Sequence, residues 1–116
     1  MMNEAYKTHK ELLKKNIKLK LVNMPCINNF NRNWLKKIIG KIKYIFFLED
    51  HNINGGMSDL MISFITSNKI LNNCFLQKFA PNEFPACGTP QEVLKYHRLD
   101  HFSLATKIKK ILKNNK

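Results

Sequence analysis

Apolar residues recur along this chain with two different periods, and each change of period marks an element. In NEAYKTHKELLKKN, residues 3–16, Ala5, His9, Leu12 and Leu13 share one face with lysines opposite and after it. That spacing predicts a helix whose basic C-terminal end suits the helix dipole. IKLKLVNMP then alternates at Ile17, Leu19 and Leu21 and continues at Val22, predicting a strand that Pro25 ends. The asparagine-rich INNFNRN supplies caps for a second helix, with an apolar stripe of Trp34, Leu35, Ile38, Ile39 and Ile42 and an end near Gly40.

YIFFL, residues 44–48, is apolar on both faces, as a central parallel strand covered by helices would be. Residues 56–70 return to helical spacing, with Met57, Leu60, Met61, Phe64 and Ile65 on the predicted core face. CFLQKFA, residues 74–80, reads as a further strand. GTPQE carries a complete start signal: Thr89 as N-cap, Pro90 in the first turn and Glu92 closing a capping box. A last helix starts near Asp100 and runs through Leu104, Ile108, Ile111 and Leu112 into lysines.

Helices and strands thus alternate, three strands in all, until two closing helices. Such alternation predicts an α/β fold, a three-layer sandwich with a mainly parallel sheet. With 116 residues and no repeat or linker, the expected organisation is a single domain over residues 1–116. No apolar run is long enough to span a bilayer, and MMNEAYKTHKELLKK lacks the apolar centre of a signal peptide. The expectation is a cytoplasmic protein that does not engage membranes.

The formal charge of +12 raises the question of nucleic acid. Lysine outnumbers arginine eighteen to two, the lysines are scattered, and most aromatics lie inside apolar runs. Base and phosphate forks favour arginine, and stacking platforms need exposed rings. Asparagine and isoleucine are abundant too, and with lysine they share A- and T-rich codons, so a biased genome would give this composition without selection for binding. Nucleic acid is therefore disfavoured as a partner. Cys26, Cys74 and Cys87 form an odd set without a CxxC pair, which points to reduced, mostly buried thiols rather than a disulfide framework or zinc ribbon. His97 and His101 are four apart, but Leu99-Asp100 between them reads as a helix break, so no metal site is expected.

The one stretch that invites chemistry is FFLEDHNINGG, residues 46–56. It puts Glu49, Asp50 and His51 at the carboxyl end of a strand, where open α/β sheets bind ligands, with Gly55 and Gly56 opening the next helix. A carboxylate–histidine pair could move protons, and a helix N-terminus could hold an anion. Against that, GG lacks the spacing of a dinucleotide or phosphate loop, and no nucleophile sits in a recognisable elbow. The residues favour a structural or regulatory loop, in which acids and imidazole hydrogen-bond the neighbouring backbone and the glycines permit close packing.

YIFFLEDHNINGGMSDLM resembles the strand, Glu-acid-His turn and Gly-Gly helix start of the transketolase C-terminal domain. FLQKFAPNEFPACGTPQEVLKYHRLD resembles that family's closing segment and DHFSLATKIKKIL its final helix, while EAYKTHKELLKKNIKLKLVNMPCINNFNRNWLKKI is similar to its first helix, second strand and second helix. The chain departs from the family pattern at Asn31, where an aspartate is common, at Asn82–Glu83, and at Arg98, where a glycine usually precedes the leucine. The resemblance implies the same fold without its first strand. It also implies that catalytic histidines, thiamine diphosphate and magnesium belong to other domains of a two-carbon-transferring enzyme of sugar-phosphate metabolism. This chain would bind no cofactor and catalyse nothing alone. Its partners would be the thiamine diphosphate-binding domains or subunit, in an oligomer whose organisation or regulation it serves. Pyruvate dehydrogenase beta subunits and deoxyxylulose-phosphate synthase share the domain and remain alternatives. So does an autonomous basic module that meets nucleic acid or an acidic protein.

Overall fold

The computed structural model describes residues 1–71 and 73–115. In chain order the elements are α1 (Met2–Leu13), α2 (Arg32–Ile39), β1 (Tyr44–Leu48), α3 (Met57–Ser67), β2 (Phe75–Phe79), α4 (Pro90–Tyr96) and α5 (His101–Asn114). They fall into two compact units: Met24–Asn82, and Met1–Asn23 with Glu83–Lys116.

The central unit, Met24–Asn82, is a β–α–β crossover preceded by a helix. β1 and β2 pair in parallel, Tyr44 opposite Phe75 through Leu48 opposite Phe79. This is the α/β arrangement with a parallel sheet that the alternation predicts. Side chains alternate across the sheet. One face presents Ile45, Phe47 and Leu76 to a core of Leu35, Ile39, Met61, Ile65 and Ile70 from α2, α3 and the turn after α3. The opposite face is aromatic: Tyr44 and Phe46 stack at 6.4 Å, and Phe46 and Phe79 at 5.8 Å. Asn31 caps α2 by accepting from the Trp34 N–H at 2.9 Å, as the asparagine-rich segment predicts.

Several expected core positions are on the surface, Leu13 of α1 and Ile42 after α2 among them. Trp34 is 41% exposed and Leu60 46% exposed. A helix of eight residues buries one narrow stripe, here Leu35 and Ile39, and Trp34 lies beside it. In α3 the stripe runs through Ser58, Met61 and Ile65, leaving Leu60 on its flank.

In the terminal unit, α1 packs on α5, with Leu12, Leu99, Leu104, Ala105 and Ile108 buried. The predicted strand over residues 17–25 does not form a ladder, a correction to the three-strand expectation. Its alternation is nevertheless real: Ile17, Leu19 and Leu21 are half-buried while Lys18 and Lys20 are exposed. Periodicity sets which side chains face inward, but a strand also needs a neighbouring backbone within hydrogen-bonding reach.

Three helices end alike and without glycine. Asn16, Lys69 and Arg98 take φ of 58°, 47° and 55°. The next N–H then reaches back five residues, Ile17 to Leu12 at 3.0 Å, Ile70 to Ile65 at 3.1 Å and Leu99 to Leu94 at 2.8 Å. These are Schellman closures, which ordinarily place glycine in the left-handed position. Arg98, the departure noted in the sequence, sits at such a position. The Thr89–Glu92 capping box forms as predicted, with Thr89 N–H donating to Glu92 Oε2 at 2.9 Å. All three thiols are free, but Cys26 and Cys87 are exposed and only Cys74 is half-buried. The expectation of buried thiols fails because Cys26 and Cys87 lie in irregular segments outside both cores.

Candidate functional site

β1 ends where the sequence changes from apolar to charged. The ladder continues one step, with Glu49 N–H donating to Phe79 O at 3.0 Å, and this fixes where the Glu49 side chain enters. That side chain is 8% exposed and turns beneath the start of α3. Glu49 Oε1 accepts from the Ser58 N–H at 3.1 Å and from the Ser58 hydroxyl, and Ser58 is fully buried. Gly56, the N-cap, has no side chain with which to cap α3, and the strand-borne carboxylate serves instead.

The same contact explains Gly56. A Cβ built there would overlap Glu49 Oε2 and lie 2.9 Å from its Cδ. Gly55 has a different reason, a φ of +80°, with open space around its missing Cβ. Its N–H donates to Asp59 Oδ2 at 2.7 Å, and Asp59 Oδ1 accepts from Lys78 Nζ at 2.6 Å. Lys78 Nζ also donates to Ile53 O at 2.5 Å, tying β2 to the loop. The Lys78 ammonium, with help from the Gly55 N–H, holds the Asp59 carboxyl below its usual range.

Asp50 and His51 follow on the surface. Both are exposed, and His51 makes no hydrogen bond or ion pair among the described residues. The structure therefore joins Glu49, Gly55 and Gly56 in one loop but does not assemble a carboxylate–histidine pair around His51. The expectation that the imidazole hydrogen-bonds the loop is corrected: the carboxylate does so, the ring does not. An incoming anion would find the Ser58 amide already taken by Glu49, and three acids nearby.

Two groupings escape the sequence reading. Asp59 occupies the third position of α3, from which an acid can reach back to the loop, so its part was legible in principle. Glu4 was not. It is 8% exposed on α1, and its Oε2 accepts from the His101 N–H at 2.9 Å and lies 3.0 Å from His101 Nδ1. Its Oε1 accepts from Lys7 Nζ at 2.9 Å. Burial pushes its carboxyl up, but the hydrogen bonds from Lys7 and His101 outweigh that and hold it below its ordinary value. With Glu4 and His101 97 positions apart, no local pattern announces the pair. Among the described residues, no group of three His, Cys, Asp or Glu is placed to hold a metal ion. An open groove at the amino end of β2, lined by Ile65, Lys69, Leu71 and Cys74, lies opposite the strand end where such sheets bind ligands. Burial raises the Cys74 thiol, which makes it a poor nucleophile there.

Comparison with known proteins settles the family. Residues 1–103 match the model described as "Transketolase, C-terminal domain". The chain belongs to this family. It is 27% identical over 116 residues to a 1-deoxy-D-xylulose-5-phosphate synthase of Clostridium tetani, covering 97% of this chain and 18% of that one. It is 28% identical over 94 residues to a subunit of the apulose-4-phosphate transketolase of Actinobacillus succinogenes, covering 81% and 30%. A Methanocaldococcus jannaschii protein that carries the name of a transketolase C-terminal section is 33% identical over 104 residues, covering 89% and 32%. The chain thus spans no more than about a third of the relatives it matches.

Proposed function

We propose that this chain is a non-catalytic C-terminal section of a transketolase-like thiamine diphosphate enzyme of sugar-phosphate metabolism, acting in subunit organisation or regulation. The supporting observation is the family match over residues 1–103, to a domain that the relatives carry as a fraction of their length. Its partner is the polypeptide that binds thiamine diphosphate, within an oligomer. In the structural or regulatory loop of Glu49, Asp50, His51, Gly55 and Gly56, the buried glutamate and the two glycines serve the fold of this section. A synthase and a transketolase subunit both stand among the relatives, so the proposal is for the class of enzyme and not for one sugar substrate. Three free thiols fit a reducing cytoplasm.

The residues of the loop between β1 and α3 do not fit the cofactor's diphosphate. A diphosphate needs free amides and cations, whereas the Ser58 amide of α3 is held by Glu49, Asp59 engages the Gly55 amide and Lys78, and Asp50 adds a further negative charge to the loop. Binding and chemistry are accordingly assigned to the partner. Two measurements test this. Calorimetric titration of the purified chain with thiamine diphosphate and magnesium is expected to show no binding, and micromolar affinity would overturn the non-catalytic reading. Affinity purification of the tagged chain from its native cells is expected to recover a thiamine diphosphate-binding polypeptide; recovery of the chain without one would overturn the subunit reading.

A further inference from the structure

The formal charge divides unequally between the two units. The terminal unit has thirteen Lys and Arg against five Asp and Glu, net +8, and the central unit seven against three, net +4. Most acids of the terminal unit are already engaged. Glu4 binds Lys7 and His101, Glu11 pairs with Lys14 at 2.7 Å, Glu92 closes its capping box, and Asp100 accepts from the Phe102 and Ser103 amides at 3.1 Å. α5 itself contains no acid.

α5 buries Leu104, Ala105 and Ile108 and turns Phe102, Thr106, Lys109, Lys110 and Lys113 outward. Those five positions follow helical spacing and form one stripe. Among the described residues, Lys109, Lys110 and Lys113 have no ion pair. A lysine stripe opposite a buried face is ordinarily solvated surface. Here the stripe has an aromatic ring in line with the lysines: Phe102, 64% exposed, stands at its head.

We infer that this α5 stripe docks an acidic protein surface, with Phe102 as apolar anchor and Lys109, Lys110 and Lys113 as the charged rim. The inference deepens the subunit reading, rests on it, and gives the partner its chemistry. A second copy is the wrong occupant, because a chain of net +12 repels itself. A bilayer is wrong as well, since the apolar face of α5 is turned inward and one ring is too little to insert. Nucleic acid would draw on the lysines but leave Phe102 without a role and favour arginine forks. Charged rims around an aromatic anchor steer association and fix orientation at protein interfaces.

Binding is measured on the full chain at about 150 mM salt, where distant charges are screened. The probes are a fluorescent all-glutamate peptide, the same peptide with every fourth glutamate replaced by leucine, and a duplex DNA. The leucine-bearing peptide is expected to bind most tightly. Replacing Lys109, Lys110 and Lys113 together by Gln should weaken it about tenfold. Replacing Lys36, Lys37 and Lys41 on the other unit should change it less than about twofold. Phe102→Ala should remove the difference between the two peptides and leave the melting temperature unchanged. Equal loss with both lysine triples, equal binding of the two peptides, or tighter binding of DNA would overturn the inference. None of these outcomes involves the thiamine diphosphate-binding polypeptide, whose recovery tests the subunit reading separately.

Discussion

Each unit of this protein buries one glutamate against the start of a helix, and the two do it differently. Glu49 comes from the strand just before α3, nine residues from the serine it holds. Glu4 comes from α1 and reaches the first turn of α5, 97 residues on. The partners differ as well. Glu49 meets an amide and a hydroxyl, whereas Glu4 meets an amide, a lysine and an imidazole. One carboxylate closes a local turn, and the other joins two helices. Both satisfy helix amides that burial would otherwise leave without a partner.

The largest expected effect is on Glu49. Glu49→Ala leaves the fully buried Ser58 amide and hydroxyl without an acceptor, and should lower stability by about 3 kcal/mol in urea unfolding. Gly56→Ala should be nearly as damaging, because its methyl needs the space the carboxylate fills. A loss below about 1 kcal/mol for both would mean that the carboxylate is dispensable and the two sites are not alike.

Glu4→Gln should lose somewhat less, about 1–2 kcal/mol at neutral pH, since an amide still accepts one hydrogen bond and Lys7 is half exposed. Its pH dependence separates the sites. The Glu4 carboxyl is depressed in the folded chain, so its contribution is complete above the unfolded value of about 4.3 and fades as pH falls through the folded value. The stability gap between wild type and Glu4→Gln should therefore close on acidification below about pH 4. A gap that stayed constant down to strong acid would mean that Glu4 is not held as an anion.

Arg98→Gly should stabilise by roughly 1 kcal/mol, since glycine takes the left-handed position without strain. Lys69→Gly should do the same in the other unit, and Asn16→Gly less, because asparagine tolerates that region. Thermal melts compare the three, and a destabilised Arg98→Gly would show that the arginine has a further role. The smallest effect belongs to His51→Ala, within about 0.5 kcal/mol of wild type, as befits an exposed ring with no partner among the described residues.

Local devices are legible in the amino-acid sequence by itself. YIFFL as a strand, Thr89–Glu92 as a capping box, Asp100 as a cap and Asn31 as another all depend on residues within four positions of one another. Short-range sterics and hydrogen bonding decide such features wherever the segment goes. The loop of Glu49, Gly55 and Gly56 is legible as a unit for the same reason, and its order along the chain carries the family. Which member of EDH turns inward is not legible, because three successive polar residues look alike until a strand register and a neighbouring helix choose one. Tertiary structure alone decides that Ile17 to Leu21 keep their alternation without a ladder, that Trp34 and Leu60 leave the core, and that Glu4 meets His101. Each depends on a backbone or side chain distant in sequence arriving within a few ångströms, and no local period encodes that arrival.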